Sequence, residues 1–194
     1  MVAGCLSEVK GKPKLYPENP GDIVMATSSG NDCTDLGHLK LNGGVAALNA
    51  FDDVNLWDLT FSVSRQTLRE IAASEVAAGT SDEDRTVVWV YDDKNYHKSW
   101  GSADSPIILI FDEDADCPKI NGGPEIFGMV FIDSDCDRSS GWGGLKVTGT
   151  VAVNGKIKKL TANTEISAWG TAANDTNNLK SSRVARIPAT WRDF

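Results

Sequence analysis

The chain has 194 residues, of which 41% are apolar and 24% charged, and a formal net charge of −8. That length suits one substantial domain, and the composition is globular rather than disordered. The acidic balance supplies no basic stripe to release counterions from phosphate, which excludes nucleic acid as a partner. No run reaches the ~18 apolar residues of a membrane span.

Residues 1–45 read as irregular, with Pro13, Pro17, Pro20 and several glycines among short apolar pieces. The chain opens on Met1-Val2-Ala3-Gly4 with no leader-like run, and the expectation is that an N-terminal anchor is missing from it. Residues 46–85 form a second segment. Phe51, Leu56, Trp57, Leu59 and Phe61 are too apolar to stay in water and must pack on something. A helix is predicted over 64–78. Ser64 is its N-cap, Val63 and Leu68 can close a hydrophobic staple, Leu68, Ile71, Ala72 and Val76 share one face, and Gly79 ends it.

Residues 86–166 repeat. Val88, Leu109, Val130 and Val151 stand 21 residues apart, and so do Val90, Phe111, Ile132 and Val153. Gly128 matches Gly149, and Gly122-Gly123 matches Gly143-Gly144. A fixed period of this size is the mark of stacked supersecondary units, whose apolar faces are buried only by neighbours. The expected fold is mainly β: a short right-handed parallel β-helix of about four to five coils, with the helix capping one end. Residues 167–182 read as a polar loop and 183–194 as a tail that docks back through Trp191 and Phe194. The whole is expected to form one compact domain.

Four cysteines, Cys5, Cys33, Cys117 and Cys136, include no close pair of the kind zinc takes. Cys117 and Cys136 fall two positions out of step on the repeat, near enough to bridge. Elimination then pairs Cys5 with Cys33. Two disulfides imply an oxidising compartment.

Asp112, Asp114 and Asp116 match Asp133, Asp135 and Asp137 at the same offset. Stacked carboxylates crowd negative charge, and calcium is the ion that would relieve it. The rest of an EF-hand loop is missing, since Cys117 and Arg138 stand at the turn glycine. Catalytic patterns fail. The only histidines are His38 and His97, there is no G-x-S-x-G, and Ser7-Glu8-Val9-Lys10 has no supporting motifs. Residues 149–156 space their glycines wrongly for a phosphate loop. Among six tryptophans, Trp89, Trp100 and Trp142 are the candidate interaction surface: Trp89 alternates with ladder residues, and Trp100 and Trp142 lie two periods apart.

Ser105-Pro106-Ile107-Ile108-Leu109-Ile110, Gly122-Gly123-Pro124-Glu125-Ile126-Phe127-Gly128-Met129-Val130-Phe131-Ile132 and Val147-Thr148-Gly149-Thr150-Val151-Ala152-Val153 resemble the C-terminal half of PilX-type pilus-assembly proteins. The ending, Arg183-Val184-Ala185-Arg186-Ile187-Pro188-Ala189-Thr190-Trp191-Arg192-Asp193-Phe194, and residues 56–71 are similar too, so the likeness covers roughly 50–194. The resemblance implies an exported, non-enzymatic component of the type IV pilus machinery. It implies pilus subunits or other envelope proteins as partners, and membrane attachment only through an N-terminal helix that this sequence lacks. The competing expectation is a carbohydrate-binding or carbohydrate-active short β-helix, for which a groove of Asp, Arg and Trp would speak. A third is an end-to-end polymer like the bactofilins, which a capping helix would block at one end.

Overall fold

The computed structural model describes residues 1–28, 36–52, 55–91, 95–115, 117–136 and 142–168. Cys33, Asp116, Asp137 and residues 169–194, which hold most of the predicted loop and tail, lie outside them. The strands in chain order are β1 (Val2–Leu6), β2 (Lys14–Tyr16), β3 (Ile23–Ser28), β4 (Val45–Phe51), β5 (Val87–Val90), β6 (Asn95–Tyr96), β7 (Ile107–Phe111), β8 (Lys119–Ile120), β9 (Glu125–Ile132), β10 (Lys146–Ile157) and β11 (Glu165–Ser167). Between β4 and β5 come two helices, α1 (Leu56–Thr60) and α2 (Arg65–Ala77), and Glu113–Ala115 form one 3-10 turn.

The predicted ladders are present. Val88 pairs with Leu109, Leu109 with Val130 and Val130 with Val151, all in parallel. Val90, Phe111, Ile132 and Val153 pair the same way. The architecture built from them differs from the expected one. The strands form an open, parallel nine-stranded sheet with the main order β4-β3-β1-β10-β9-β7-β5, plus a small β6-β8 pair. A β-helical solenoid is therefore the wrong fold for this chain: the sheet does not close on itself.

The physical reason lies in what a period encodes. A constant stride of 21 fixes which residues pair, but not how the intervening chain runs. Away from the ladders the stride is uneven. Tyr96 pairs with Ile120, 24 residues on, Ile120 with Trp142, 22 on, and Trp142 with Leu160, 18 on.

Residues 1–45 are also not irregular. They supply β1, β2 and β3, and β1 joins the sheet beside β10, so the first strand neighbours the last long one. Short strands such as Val2–Leu6 carry too little periodicity to be told from loop.

The sheet is apolar on both faces. In β7 all five residues are buried, and such continuous runs are typical of parallel strands covered on both sides. One face carries Val88, Leu109, Phe111, Val130, Ile132, Val151 and Val153 into a cluster with Leu6, Met25, Ile120, Trp142 and Leu160. The other carries Val87, Ile108, Ile110, Met129, Phe131 and Ala152 against Leu56, Trp57, Phe61, Leu68 and Ala72 of the helical segment. Side chains two apart on a strand share a face, so the two clusters follow directly from alternation. Here a second expectation fails. Helix α2 lies along a face of the sheet instead of capping its end, because Ile108, Ile110, Met129 and Phe131 need cover as much as the opposite face does.

Gly128 and Gly149 sit where the long strands change neighbours. In β10, residues 146–148 pair with β11 and residues 152–157 with β1. The backbone there takes φ of +129° at Gly128 and +137° at Gly149. A Cβ on Gly149 would stand 1.9 Å from the Gly128 carbonyl oxygen. Only glycine fits such a φ and such an approach.

Candidate functional site

The densest constellation of charged and aromatic groups lies where α2 meets the sheet. Asp112 follows β7 and Asp133 follows β9, and each backbone N–H continues the ladder, Asp112 N to Val90 O and Asp133 N to Phe111 O. The same column continues to Asn154 in β10, which is 21 residues beyond Asp133. Adjacent strands are about 4.8 Å apart. Residues four apart on a helix rise about 6 Å and share a face. Arg65 and Arg69 therefore match two successive positions of the column.

Arg69 Nη2 donates to Asp112 Oδ2 at 2.6 Å, and the Trp89 indole N–H donates to the same oxygen at 2.7 Å. Asp112 Oδ1 accepts from the backbone N–H of Asp114 at 3.0 Å. Arg65 grips Asp133 with both ends of its fork, through Nε to Oδ2 and through Nη2 to Oδ1 at 2.7 Å. Asn154 donates to Asp133 Oδ1 at 2.8 Å and accepts from Leu56 N, at the start of α1, at 2.9 Å. Each guanidinium also lies on an indole, Arg65 over Trp57 at 4.6 Å and Arg69 over Trp89 at 4.9 Å.

Both aspartates are nearly fully buried, at 1% and 5% exposure. Burial by itself pushes the Asp112 carboxyl up. The Asp114 N–H, the Trp89 indole and the Arg69 guanidinium outweigh it and hold Asp112 below the usual carboxylate range. Hydrogen bonding to Asp133 keeps the Arg65 guanidinium firmly charged.

This geometry accounts for the acidic register. The first member of each predicted triplet points inward and is engaged by protein donors. The second members are exposed: Asp114 lies in the 3-10 turn, and Asp135 Oδ1 accepts from Lys156 N at 2.7 Å. Among the described residues, no three His, Cys, Asp or Glu side chains converge on a point where they could hold a metal ion. A calcium ion at Asp112 and Asp133 would have to displace two arginines. Asp116 and Asp137 lie outside the described residues.

The tryptophans are placed differently from the expectation. Trp142 is fully buried and Trp100 is 6% exposed, so neither offers a surface. They do not share a column. Trp100 bridges Ile126, whereas Trp142 bridges Ile120 and Leu160. The apolar inward positions claimed both rings, and Lys98 Nζ covers Trp100 at 3.9 Å. Trp89 is half-buried among Arg69, Trp57 and Tyr91. An Asp, Arg and Trp cluster thus exists, in which Trp57, Trp100 and Trp142 are buried and the half-buried Trp89 carries Arg69 on its ring. His38 and His97 are exposed and far apart in the chain.

Cys117 and Cys136 form the predicted disulfide, with Cα atoms 4.5 Å apart. Cys5 is fully buried and disulfide-bonded, while Cys33, its expected partner, lies outside the described residues. A disulfide of this kind is compatible with an oxidising location.

Sequence reasoning missed Arg65 and Arg69. The signal was available: two cations at helical i, i+4 spacing opposite two anions at sheet-repeat spacing. Comparison with protein-family models, curated proteins and solved structures finds no match to this chain.

Proposed function

We propose that this chain is a non-enzymatic structural component of the bacterial cell envelope, exported, and of the pilus-assembly kind that its sequence resembles. The observation that carries this reading is the division of labour among its side chains. The Asp, Arg and Trp constellation is consumed by holding α1 and α2 on the sheet. The large exposed apolar side chains among the described residues, Ile23, Val45, Leu48, Val76 and Tyr91, are left to meet other molecules. Disulfide bonding at Cys117–Cys136 supports export. Its partners in this reading are pilus subunits or other envelope proteins. In this reading membrane attachment is through an N-terminal anchor; among the described residues no helix is long and apolar enough to cross a membrane.

The test is fractionation of cells that make the protein, with thiols alkylated before lysis and envelope neighbours captured by cross-linking. The expected result is a chain in the envelope fraction, cross-linked to pilus or other envelope subunits, with Cys117 and Cys136 unalkylated. Recovery from the cytoplasm with both thiols alkylated overturns the reading.

A further inference from the structure

A parallel sheet has two unlike edges, and here, among the described residues, no further strand pairs along the outer side of either. Among the described residues β4 pairs within the sheet only with β3, and β5 only with β7. We propose that these edges are the two halves of one interface, so that copies of this chain join head to tail, the outer edge of β4 against the outer edge of β5 in the next copy. The inference rests on the assembly reading above and names a second copy as the partner.

Three observations carry it. The first is polarity. Every pairing along the main path is parallel, so a neighbouring copy in the same orientation would extend the ladder with the hydrogen-bond geometry already used inside it. Ile108 N donates to Thr86 O and Asp112 N to Val90 O. Alternate residues of a parallel strand bond to alternate sides, so Val87 and Trp89 turn their backbone groups outward; the Val87 N–H is taken by the Glu75 carboxylate, which leaves Trp89 as the residue a neighbour would pair.

The second is chemistry. Natural edge strands are commonly protected by charge or proline. In a chain that is 24% charged, β4 reads VAALNAF and β5 reads VVWV, with neither, and what protection they have is a bulge in β4 at Asn49, φ +55°, and the four-residue length of β5.

The third is placement. Among the described residues, the exposed large apolar side chains lie at the two ends of the sheet: Ile23, Val45 and Leu48 at 44–63% exposure on β3 and β4, and Val76 and Tyr91 at 55–57% beside β5. The helix expected to block one end lies on a face instead. It guards only the start of β5, where the Glu75 carboxylate accepts from Thr86 N and Val87 N. A contact between unlike edges is head to tail, so it adds copy after copy, into a ring where the rotation between copies closes and into an open chain where it does not.

The test uses light scattering on the purified full chain over a concentration series, with Leu48→Lys blocking one edge and Tyr91→Lys the other. Both positions are exposed, and far-UV circular dichroism checks that the variants fold. The wild type is expected to grow beyond a monomer as concentration rises. Each variant alone should stay monomeric, because every contact then includes a blocked edge. An equimolar mixture should double in mass and stop, since one open edge of each kind remains. A wild type that stays monomeric throughout overturns the proposal, a result that needs no variant to fold. A variant that dimerises alone also overturns it, since like edges are then pairing. An envelope-located, disulfide-bonded chain that never self-associates defeats this inference alone. A chain that polymerises but is recovered reduced from the cytoplasm defeats only the assembly reading.

Discussion

Asp112 shows how far a single residue could be read. Its position in the 21-residue register was evident from the sequence, and the structure stacks it beside Asp133 as that register requires. Its role was not evident, because nothing local to Asp112 announces an arginine 43 positions away on a helix. The consequence is testable. The Arg69 side chain is 36% exposed and that of Asp112 only 2%, so the pair is screened on one side. Asp112→Asn should cost roughly 2–3 kcal/mol at neutral pH, somewhat less than breaking a fully buried pair. The sign with pH follows from the depressed carboxyl. Its contribution is complete above the unfolded aspartate value of about 3.9 and is lost as pH falls through the lower folded value. Urea unfolding of wild type and variant should therefore show a clear gap at neutral pH that narrows near pH 3. A gap of equal size at both would mean the charge of Asp112 does not support the fold.

At the level of elements, legibility followed the strength of local rules. Helix α2 runs over Arg65–Ala77 with Ser64 as N-cap, its side chain accepting from Thr67 N, as the capping pattern implies. Its apolar stripe was read one turn too long. Leu68 and Ala72 are buried, but Val76 is 57% exposed, because the helix runs out beside β5, the last strand of the sheet. Leu68→Ala should thus remove a fully buried side chain at a cost of about 3 kcal/mol, which lowers Tm by roughly 6–12 °C for a chain of this size. Val76→Ala should change stability by less than about 0.5 kcal/mol. Thermal melts of the two variants check the contrast, and equal losses would place Val76 in a packed environment. Strands β1 and β2 were not legible, since each pairs with a strand more than a hundred residues away, β1 with β10 and β2 with β11, and β3, which pairs nearby with β1 and β4, is too short to show its period. Local pattern cannot carry that information.

For the molecule as a whole, the repeat revealed the pairing of β5, β7, β9 and β10 but concealed the sheet's order and its open edges. Order depends on where β1 inserts, and nothing in the period of residues 88–153 speaks for residues 2–6. Covalent staples are the exception, because the register alone brought Cys117 and Cys136 together. The bond joins the segment before β8 to the one after β9, across a separation of 19 residues. Closing a loop of that size in the unfolded chain stabilises the folded state by about 3 kcal/mol. Both cysteines are 2% exposed, so alanine at each leaves only small voids. The double variant Cys117→Ala, Cys136→Ala should lose close to that amount in urea unfolding under non-reducing conditions. Reduction of the wild type should cost more, because Cys5 is also disulfide-bonded. Reduction of the double variant should then yield the share belonging to Cys5 alone. If reductant leaves the double variant unchanged, the bond at Cys5 contributes nothing to stability, and the N-terminal strands are held to β10 by their hydrogen bonds and packing alone.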